Sequence, residues 1–213
     1  GFGGGVVIDG KLLSGDNGCG GDVWLMRNSL YPELIAEESV SIRAVRRVYR
    51  EYAKEDAREN LTPKDIFDIA EGIAEGNVNA ARQAFSQLGK AAADAIVHAL
   101  DIIDGLVVIG GGLSGAAKYI VPAMKEQMRS SLSTFGGDHF PCLQSEVYDL
   151  NATEELAEFL RDDSTLVQVP GAERSVRYRN SRKTGIAVNS IGTSTAIALG
   201  AYAFALNNLN KSK

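Results

Sequence analysis

The apolar run Leu106-Val107-Val108-Ile109, followed by Gly110-Gly111-Gly112, constrains the fold of this chain more than any other segment. An uninterrupted apolar run of this length is typical of a strand that is buried on both faces. Apolar residues recur at helical spacing both before it, over 79–103, and after it, over 116–132. A buried strand that ends in glycines before a helix is where open α/β sheets bind ligands. We therefore predict an α/β lobe with a ligand near these glycines.

The remaining segments predict a mixed sheet with flanking helices. Residues 6–13 are apolar around Asp9-Gly10, the strongest short signal for a β-hairpin. Residues 33–52 are expected to be helical, and Thr62-Pro63 is a helix start with threonine as N-cap. After residue 136 the pattern weakens: it predicts strands over 145–150 and 165–169, a helix over 154–161, a hairpin from 176–178 and 185–188, and a closing helix over 193–206.

Composition narrows the class of protein. With 213 residues, 45% hydrophobic residues and a net charge of −5, the chain is long enough for a sizeable core and has no overall attraction for polyanions. The two basic clusters, over 43–50 and 174–183, are expected to be solvated surfaces, although the second is dense enough to contact an anionic ligand. No long apolar run or signal peptide is present, so neither a membrane nor export is indicated and a cytoplasmic protein is expected.

Three glycine-rich segments are candidates for phosphate binding: residues 1–5, 15–21 and 110–112. Glycines let backbone N–H groups converge on phosphate oxygens, and the start of a following helix adds partial positive charge. None of the three matches a dinucleotide fingerprint or a P-loop. A single glycine turn is more often structural than functional, so the argument depends on the three segments together.

The order of these motifs resembles the middle of the ROK family of repressors, open reading frames and sugar kinases. The resembling segments are Gly1-Phe2-Gly3-Gly4-Gly5 with its hairpin, Gly21-Asp22, Glu38-Ser39-Val40-Ser41, Val107 to Ser114, and the closing helix after Gly192. The resemblance implies the ribonuclease-H-like fold of the actin-like ATPase and sugar-kinase superfamily. It also implies that residues 1–213 form a single C-terminal lobe whose N-terminal lobe is absent, an expectation that fits a chain opening inside a glycine-rich turn without methionine.

The resemblance further implies ATP with Mg²⁺ as cofactor and a sugar as substrate. Gly3, Gly4 and Gly5 would line the phosphates, and Gly110, Gly111 and Gly112 would approach the adenosine. Asp22 and Glu38 would accept hydrogen bonds from sugar hydroxyls, since carboxylates are strong acceptors. The structural alternatives are that Asp22 caps a turn and that Glu38 lies in an early helical turn. Family members are often dimers, so a homodimer is expected.

Several departures from the family pattern bear on activity. Leu25 stands where the family has a histidine that touches sugar or zinc, and residues 28–36 lack the cysteines of the family's zinc motif. No structural zinc or other metal site is therefore expected. Residues 136–188 are longer and more charged than is usual in the family. The catalytic aspartate of the family lies upstream of the phosphate loop, so this chain is expected to supply no catalytic base and to be inactive alone.

Two functions of the intact protein remain open at this point. One is a glucokinase-like sugar kinase, which transfers the γ-phosphate of ATP to a sugar hydroxyl. The other is a non-catalytic, sugar-sensing transcriptional regulator, because the same fold serves repressors. Nucleic acid would be a partner only if the N-terminal part carries a DNA-binding module. A third possibility is an interaction lobe that dimerises through apolar helices.

Overall fold

The computed structural model describes residues 1–54, 58 and 60–211, without the side chains of residues 210 and 211. Its α-helices are α1 (Ile42–Ala53), α2 (Pro63–Ala70), α3 (Val78–Ile103), α4 (Ala117–Met128), α5 (Thr153–Leu160) and α6 (Thr193–Lys211). Its strands are β1 (Val7–Ile8), β2 (Lys11–Leu12), β3 (Val107–Ile109), β4 (Ser131–Ser133), β5 (His139–Pro141), β6 (Glu146–Asp149), β7 (Thr165–Gln168), β8 (Ser175–Tyr178) and β9 (Lys183–Val188).

The central sheet has the strand order β3-β9-β6, and both pairings are parallel. The other strands form three antiparallel pairs: β1 with β2, β4 with β5, and β7 with β8. Asp9 and Gly10 have positive φ angles of 50° and 72° in the first turn, which confirms the predicted Asp-Gly hairpin. The prediction that 176–178 and 185–188 form a hairpin is wrong. β8 pairs with β7, whereas β9 lies between β3 and β6, because an apolar segment gains more burial at the centre of the sheet.

The core is built around α3, which packs on α4, α1 and α2. Alanines make up much of its buried surface, and they let neighbouring helices approach closely. One close approach is at Gly89. A β-carbon added there would lie 2.5 Å from the carbonyl oxygen of Ile120 and 3.2 Å from the β-carbon of Ala123. The backbones of α3 and α4 therefore meet at a point that only glycine fits.

Side-chain caps set where two helices begin. Thr62 caps α2 and Pro63 lies in its first turn, as predicted, and the structure adds a capping box between Thr62 and Asp65. α1 begins at Ile42, not near residue 33 as predicted, because Ser41 is extended and its hydroxyl caps the N–H of Ala44. The preceding residues Ala36–Glu38 form a short 3-10 helix instead. This difference matters because it places the acidic residues 37 and 38 before the helix, near the glycine-rich segment.

One side of β3 is not covered. Val107 and Ile109 pack against the core, but Leu106 and Val108 are 60% and 68% exposed. The prediction that this strand is buried on both faces is therefore wrong within the described residues. Successive side chains of a strand point to opposite faces of the sheet, so Val108 faces away from the core on which Val107 and Ile109 pack.

Helix α6 is also largely uncovered. Its apolar side chains are spread around the whole helix and are exposed, including Ile197, Tyr202, Phe204 and Leu209. A helix that is apolar on all sides is normally buried. Among the described residues, however, no helix is long and apolar enough to cross a membrane.

Residues 136–188 contain both sheet and hairpin. β6 and β9 belong to the central sheet, and Tyr148 of β6 packs edge-on against Phe159 of α5. The β4–β5 and β7–β8 hairpins lead into the first residues of β6 and β9, respectively. All three strands of this sheet are parallel, so these hairpins lie at the end of the sheet where the strands begin. Gly110–Gly112 follow the last residue of β3 and lie at the opposite end.

Lys183 anchors the base of the β7–β8 hairpin. Its side chain is only 5% exposed, and its ammonium donates to the carbonyls of Glu158 and Arg161 at 3.0 and 3.2 Å, at the end of α5. It also lies 3.5 Å from an Asp163 oxygen. A buried cation at a helix C-terminus satisfies carbonyls that have no intrahelical partner.

Lys183→Met is therefore expected to lower the free energy of unfolding by about 1–2 kcal/mol, because these carbonyls and Asp163 lose their donor. Arg174→Met, on the exposed turn of the same hairpin, removes an equal charge and is expected to change it by less than about 0.5 kcal/mol. Urea denaturation of the two variants measures the difference. Equal effects would show that Lys183 acts only through net charge.

Candidate functional site

A cavity of about 790 Å³ lies between the glycine-rich N-terminal segment and the turn after β3. Residues 1–7 line one side and residues 105–114 line the other. Gly3, Gly4 and Gly5 therefore share one cavity with Gly110, Gly111 and Gly112, although more than one hundred residues separate them in the chain. The two segments predicted to bind ATP are brought together.

The cavity has two chemically different parts. Its floor is an apolar face of α3 and α4, formed by Leu88, Ala92, Ile96, Ala99, Leu100, Ile103, Ile120 and Met124. Its rim carries the glycines and the polar side chains of Thr62, Lys64 and Ser114. No carboxylate is among the described lining residues, and Lys64 is their only cation. The rim suits an anionic ligand, whereas the floor suits apolar groups.

Two glycine positions determine the shape of the rim. Gly111 has a φ of 97°, which favours glycine, and its carbonyl accepts a hydrogen bond from the Ser114 hydroxyl at 2.7 Å. Gly4 and Gly21 approach each other so closely that a β-carbon on Gly4 would lie 2.8 Å from the Gly21 oxygen, and one on Gly21 would lie 2.9 Å from the Gly4 oxygen. Because Gly21 precedes Asp22, this contact holds the predicted sugar-binding residue beside the predicted phosphate loop.

Asp22 lies at the start of a 3-10 helix, Val23–Leu25, and is exposed. Its side chain makes no capping hydrogen bond to that helix, so the carboxylate does not act as a cap. This helix packs against the second one, Ala36–Glu38, where the N–H of Ala36 donates to the carbonyl of Met26 at 2.8 Å. The segments that carry Asp22 and Glu38 are therefore neighbours.

The two glutamates of the second 3-10 helix have different surroundings. Glu38 is 41% exposed and forms a 2.6 Å ion pair with Arg43. Glu37 is 22% exposed, and its carboxylate accepts a hydrogen bond from the backbone N–H of Phe2 at 3.0 Å. That N–H holds the pKa of the Glu37 carboxyl below its ordinary value, and Arg43 acts in the same direction. Glu37 therefore contacts the glycine-rich segment directly, which sequence reasoning missed.

Asn28 is a second residue that sequence reasoning missed. It is buried, and its amide nitrogen donates to the carbonyl of Ile35 and to the Ser39 hydroxyl, at 3.1 and 2.8 Å. Its side-chain oxygen accepts from the N–H groups of Leu30 and Tyr31. Asn28 thereby fixes the loop that joins the two short helices. An asparagine ahead of a Tyr-Pro turn was the only signal in the sequence, and it does not reveal a partner eleven residues away.

No group of three or more histidine, cysteine, aspartate or glutamate side chains with metal-ligand geometry occurs among the described residues. Cys19 and Cys142 are both free thiols.

Residues 33–149 match the ROK family, which is more than half of the chain. The chain belongs to the ROK family. The matched part includes Glu37, Glu38 and Gly110–Gly112. A comparison with curated proteins found no significant match.

Among solved structures, the chain is similar to a glucokinase from Parabacteroides distasonis ATCC 8503, with 51% identity and a TM-score of 0.85. The similarity covers 95% of this chain and 54% of the glucokinase, so the chain spans about half of that protein's length. A ROK glucokinase from Streptomyces griseus, solved with glucose and AMPPNP, is 20% identical over 60% of this chain and 46% of its own, with a TM-score of 0.45. A ROK transcriptional regulator, a homolog of the E. coli MLC protein, is 21% identical over 60% and 35%, with a TM-score of 0.48.

These findings confirm the predicted family and fold class. The lobe is α/β, with parallel and antiparallel strand pairs and flanking helices, and it has the ribonuclease-H-like fold of the actin-like ATPase and sugar-kinase superfamily.

Proposed function

We propose that the protein containing this chain is an ATP-dependent sugar kinase, and that residues 1–213 are its C-terminal nucleotide- and sugar-binding lobe. One observation carries the proposal: every segment predicted to bind ligand converges on Gly1–Gly5. This segment shares a cavity with Gly110–Gly112, meets Gly21 next to Asp22, and donates through Phe2 to Glu37. The 51% identity to a glucokinase supports the same activity.

The rim of the cavity is the proposed nucleotide site. Gly3, Gly4 and Gly5 would present backbone N–H groups to the phosphates, and Gly110, Gly111 and Gly112 would approach the adenosine. α4 begins just beyond these glycines, at Ala117, and its N-terminal end adds partial positive charge on the same side. Lys64 is the one lysine or arginine among the described residues that line the cavity, and it would be the side chain to contact a phosphate. Its ammonium now donates to an Asp68 carboxylate oxygen at 2.5 Å.

The acidic residues beside the glycine-rich segment form the proposed sugar site. Asp22, with either Glu38 or Glu37, would accept hydrogen bonds from sugar hydroxyls. The contact between Glu37 and Phe2 favours Glu37, because a carboxylate there is oriented next to the phosphate loop. Glu38 is directed instead to Arg43 at the surface.

Phosphoryl transfer needs a carboxylate base and a magnesium ion as well as the two substrates. Mg²⁺ bound to ATP would neutralise the phosphate charge. No described carboxylate lines the cavity, so we propose that the base and any protein ligand of the metal come from polypeptide outside residues 1–213. We propose further that this polypeptide is an N-terminal lobe, that the protein works in the cytoplasm, and that it is a homodimer.

A sugar-sensing regulator of the same family is the second candidate. Leu25, which is 53% exposed beside the proposed sugar site, replaces the polar side chain expected of a kinase at this position. An apolar residue there removes a hydrogen-bond donor to the sugar without preventing binding by the carboxylates.

The deciding experiment is ATP-dependent phosphorylation of a panel of hexoses and amino sugars by the full-length protein, with residues 1–213 alone as the control. We expect turnover by the full-length protein on at least one sugar and none by the control. Turnover by residues 1–213 alone would overturn the proposal that the catalytic base lies outside these residues. Sugar binding without turnover by the full-length protein, measured by calorimetry, would favour the regulator.

A further inference from the structure

The β7–β8 hairpin projects from the core, and every residue of its two strands is exposed. Within the described part of the chain, β7 and β8 pair only with each other. A two-stranded hairpin is marginally stable by itself, and further strands stabilise it. We propose that β7 pairs with β7 of a second copy of the chain, antiparallel and about a two-fold axis at Val167. The inference rests on the homodimer in the proposed function and not on kinase activity.

The hydrogen bonds of the turn show which backbone groups of β7 face outward. The N–H of Val169 donates to the carbonyl of Arg174 at 3.0 Å, so the backbone groups of Val169 face β8. Direction alternates along a strand. The backbone groups of Val167 therefore also face β8, whereas those of Leu166 and Gln168 face the outer edge.

The open part of this edge is short. On one side of it, the N–H of Ser164 already donates to the Asp162 carboxylate at 3.0 Å. On the other side, Pro170 has no N–H to offer. The outward N–H groups of Leu166 and Gln168 are the donors that lie between these two limits.

A two-fold axis at Val167 satisfies both of these donors. It sets Leu166 of each copy opposite Gln168 of the other, so each outward N–H meets a carbonyl. Val167 then lies beside Val167 of the second copy. Its partner on β8, Val176, extends the row on both sides, so that two valines from each copy lie in line across the sheet. Cross-strand pairs of β-branched side chains stabilise a sheet.

Charge distinguishes the edge of β7 from the edge of β8. β7 contains no charged residue, whereas β8 contains Arg177 and is flanked by Arg174 and Arg179. Two copies of β8 paired about a two-fold axis would bring these arginines together, and opposed like charges destabilise a sheet. Charged side chains are one means by which proteins prevent pairing at an edge strand. β8 has this protection and β7 lacks it.

The charges at the two ends of β7 favour a second copy of the chain as the partner. Arg161 and Glu173 lie equally far from Val167 along the chain, so antiparallel pairing about that residue brings the two opposite charges to the same end of the sheet. Asp162 then comes diagonally next to Arg174 of the second copy. The edge is therefore complementary to itself in charge as well as in hydrogen bonds, as an interface between identical chains requires.

Disulfide cross-linking of the full-length protein tests this interface. Its native cysteines, Cys19 and Cys142 among them, are first replaced by alanine. Val167→Cys then places two thiols across the axis in a non-hydrogen-bonded pair, whose Cα atoms are about 4.5 Å apart, a separation that a disulfide spans. We expect a covalent dimer to form at least about tenfold faster than with the control variant, Val176→Cys.

Val176→Cys is a matched control because Val176 and Val167 are both 43% exposed. In the proposed sheet, however, the two copies of residue 176 are three strand spacings apart, about 14 Å, which is too far for a disulfide. Equal rates for the two variants, or no covalent dimer with either, would overturn the interface. Sedimentation velocity without oxidation separates this failure from that of the homodimer itself: a dimer without selective cross-linking at residue 167 would retain the homodimer and overturn only the interface.

Proline substitution in the Val167→Cys protein shows whether backbone pairing brings the thiols together. Leu166→Pro removes one outward N–H from each copy, so we expect the protein concentration that gives half-maximal cross-linking to rise by at least about tenfold. Ser175→Pro removes an outward N–H from β8, the edge without a proposed partner, and is expected to leave that concentration unchanged. The same concentration for both proline variants would contradict the paired edge.

Discussion

Gly89→Ala is expected to destabilise the protein by about 2 kcal/mol, although alanine is the better helix former. The added β-carbon would lie 2.5 Å from the Ile120 carbonyl oxygen. Because that oxygen belongs to the backbone of α4, relief requires α3 and α4 to move apart along their whole contact. Overpacking of this kind costs up to about 3 kcal/mol, which exceeds the gain of about 1 kcal/mol in helix propensity. Urea denaturation followed by circular dichroism measures the net effect.

Gly200→Ala is the matched control for this prediction. Gly200 is also helical, in α6, but a β-carbon there meets no atom within 4 Å. Only the higher helix propensity of alanine remains, so the free energy of unfolding is expected to stay the same or to rise by up to about 1 kcal/mol. Opposite signs for the two substitutions would establish close helix contact at Gly89. A stabilising Gly89→Ala would mean that the two helices lie further apart.

Glu37→Gln in the full-length protein is expected to lower kcat/KM for the sugar by about 30–100-fold. That loss corresponds to about 2–3 kcal/mol, the range for a hydrogen bond to a charged group. Glutamine keeps an oxygen that can accept the Phe2 N–H, so the loop geometry should survive while the charge is lost. Steady-state kinetics with the sugar that the full-length protein phosphorylates provide the measurement.

Glu38→Gln is the control for Glu37→Gln, since the two residues are adjacent and carry the same charge. Glu38 pairs with Arg43 at the surface, where ion pairs contribute little, so a change below about threefold is expected. The reverse order of effects would identify Glu38 as the sugar contact. Equal and small effects for both variants would remove this short helix from the sugar site.

Much of the fold could be predicted because its signals are local. The Thr62-Pro63 start of α2, the Asp9-Gly10 hairpin and the long alanine-rich α3 each depend on residues within a few positions of one another. Strand pairing could not be predicted in the same way. β9 lies between β3 and β6, which are distant in sequence, and its short apolar run, Gly185 to Val188, was equally compatible with a hairpin.

The candidate site was predictable in part for a similar reason. Glycines that form the cavity rim are conspicuous in the sequence, and the structure places both predicted groups on one cavity. The choice between Glu37 and Glu38 depends on the 3-10 helix that replaces the start of the predicted helix 33–52. A helix beginning at residue 33 would turn different side chains toward the glycine-rich segment. The extended Ser41, which makes α1 begin at Ile42, rules out that arrangement.

The two ends of the central sheet carry different structures. The β4–β5 and β7–β8 hairpins lie where the strands begin, and Phe135 at the first tip is fully exposed. The cavity lies where β3 ends. Changes in the length or charge of the hairpins are therefore expected to leave ligand binding unchanged. A fluorescent label at residue 135 would report on the rotational diffusion of the protein without contacting the cavity.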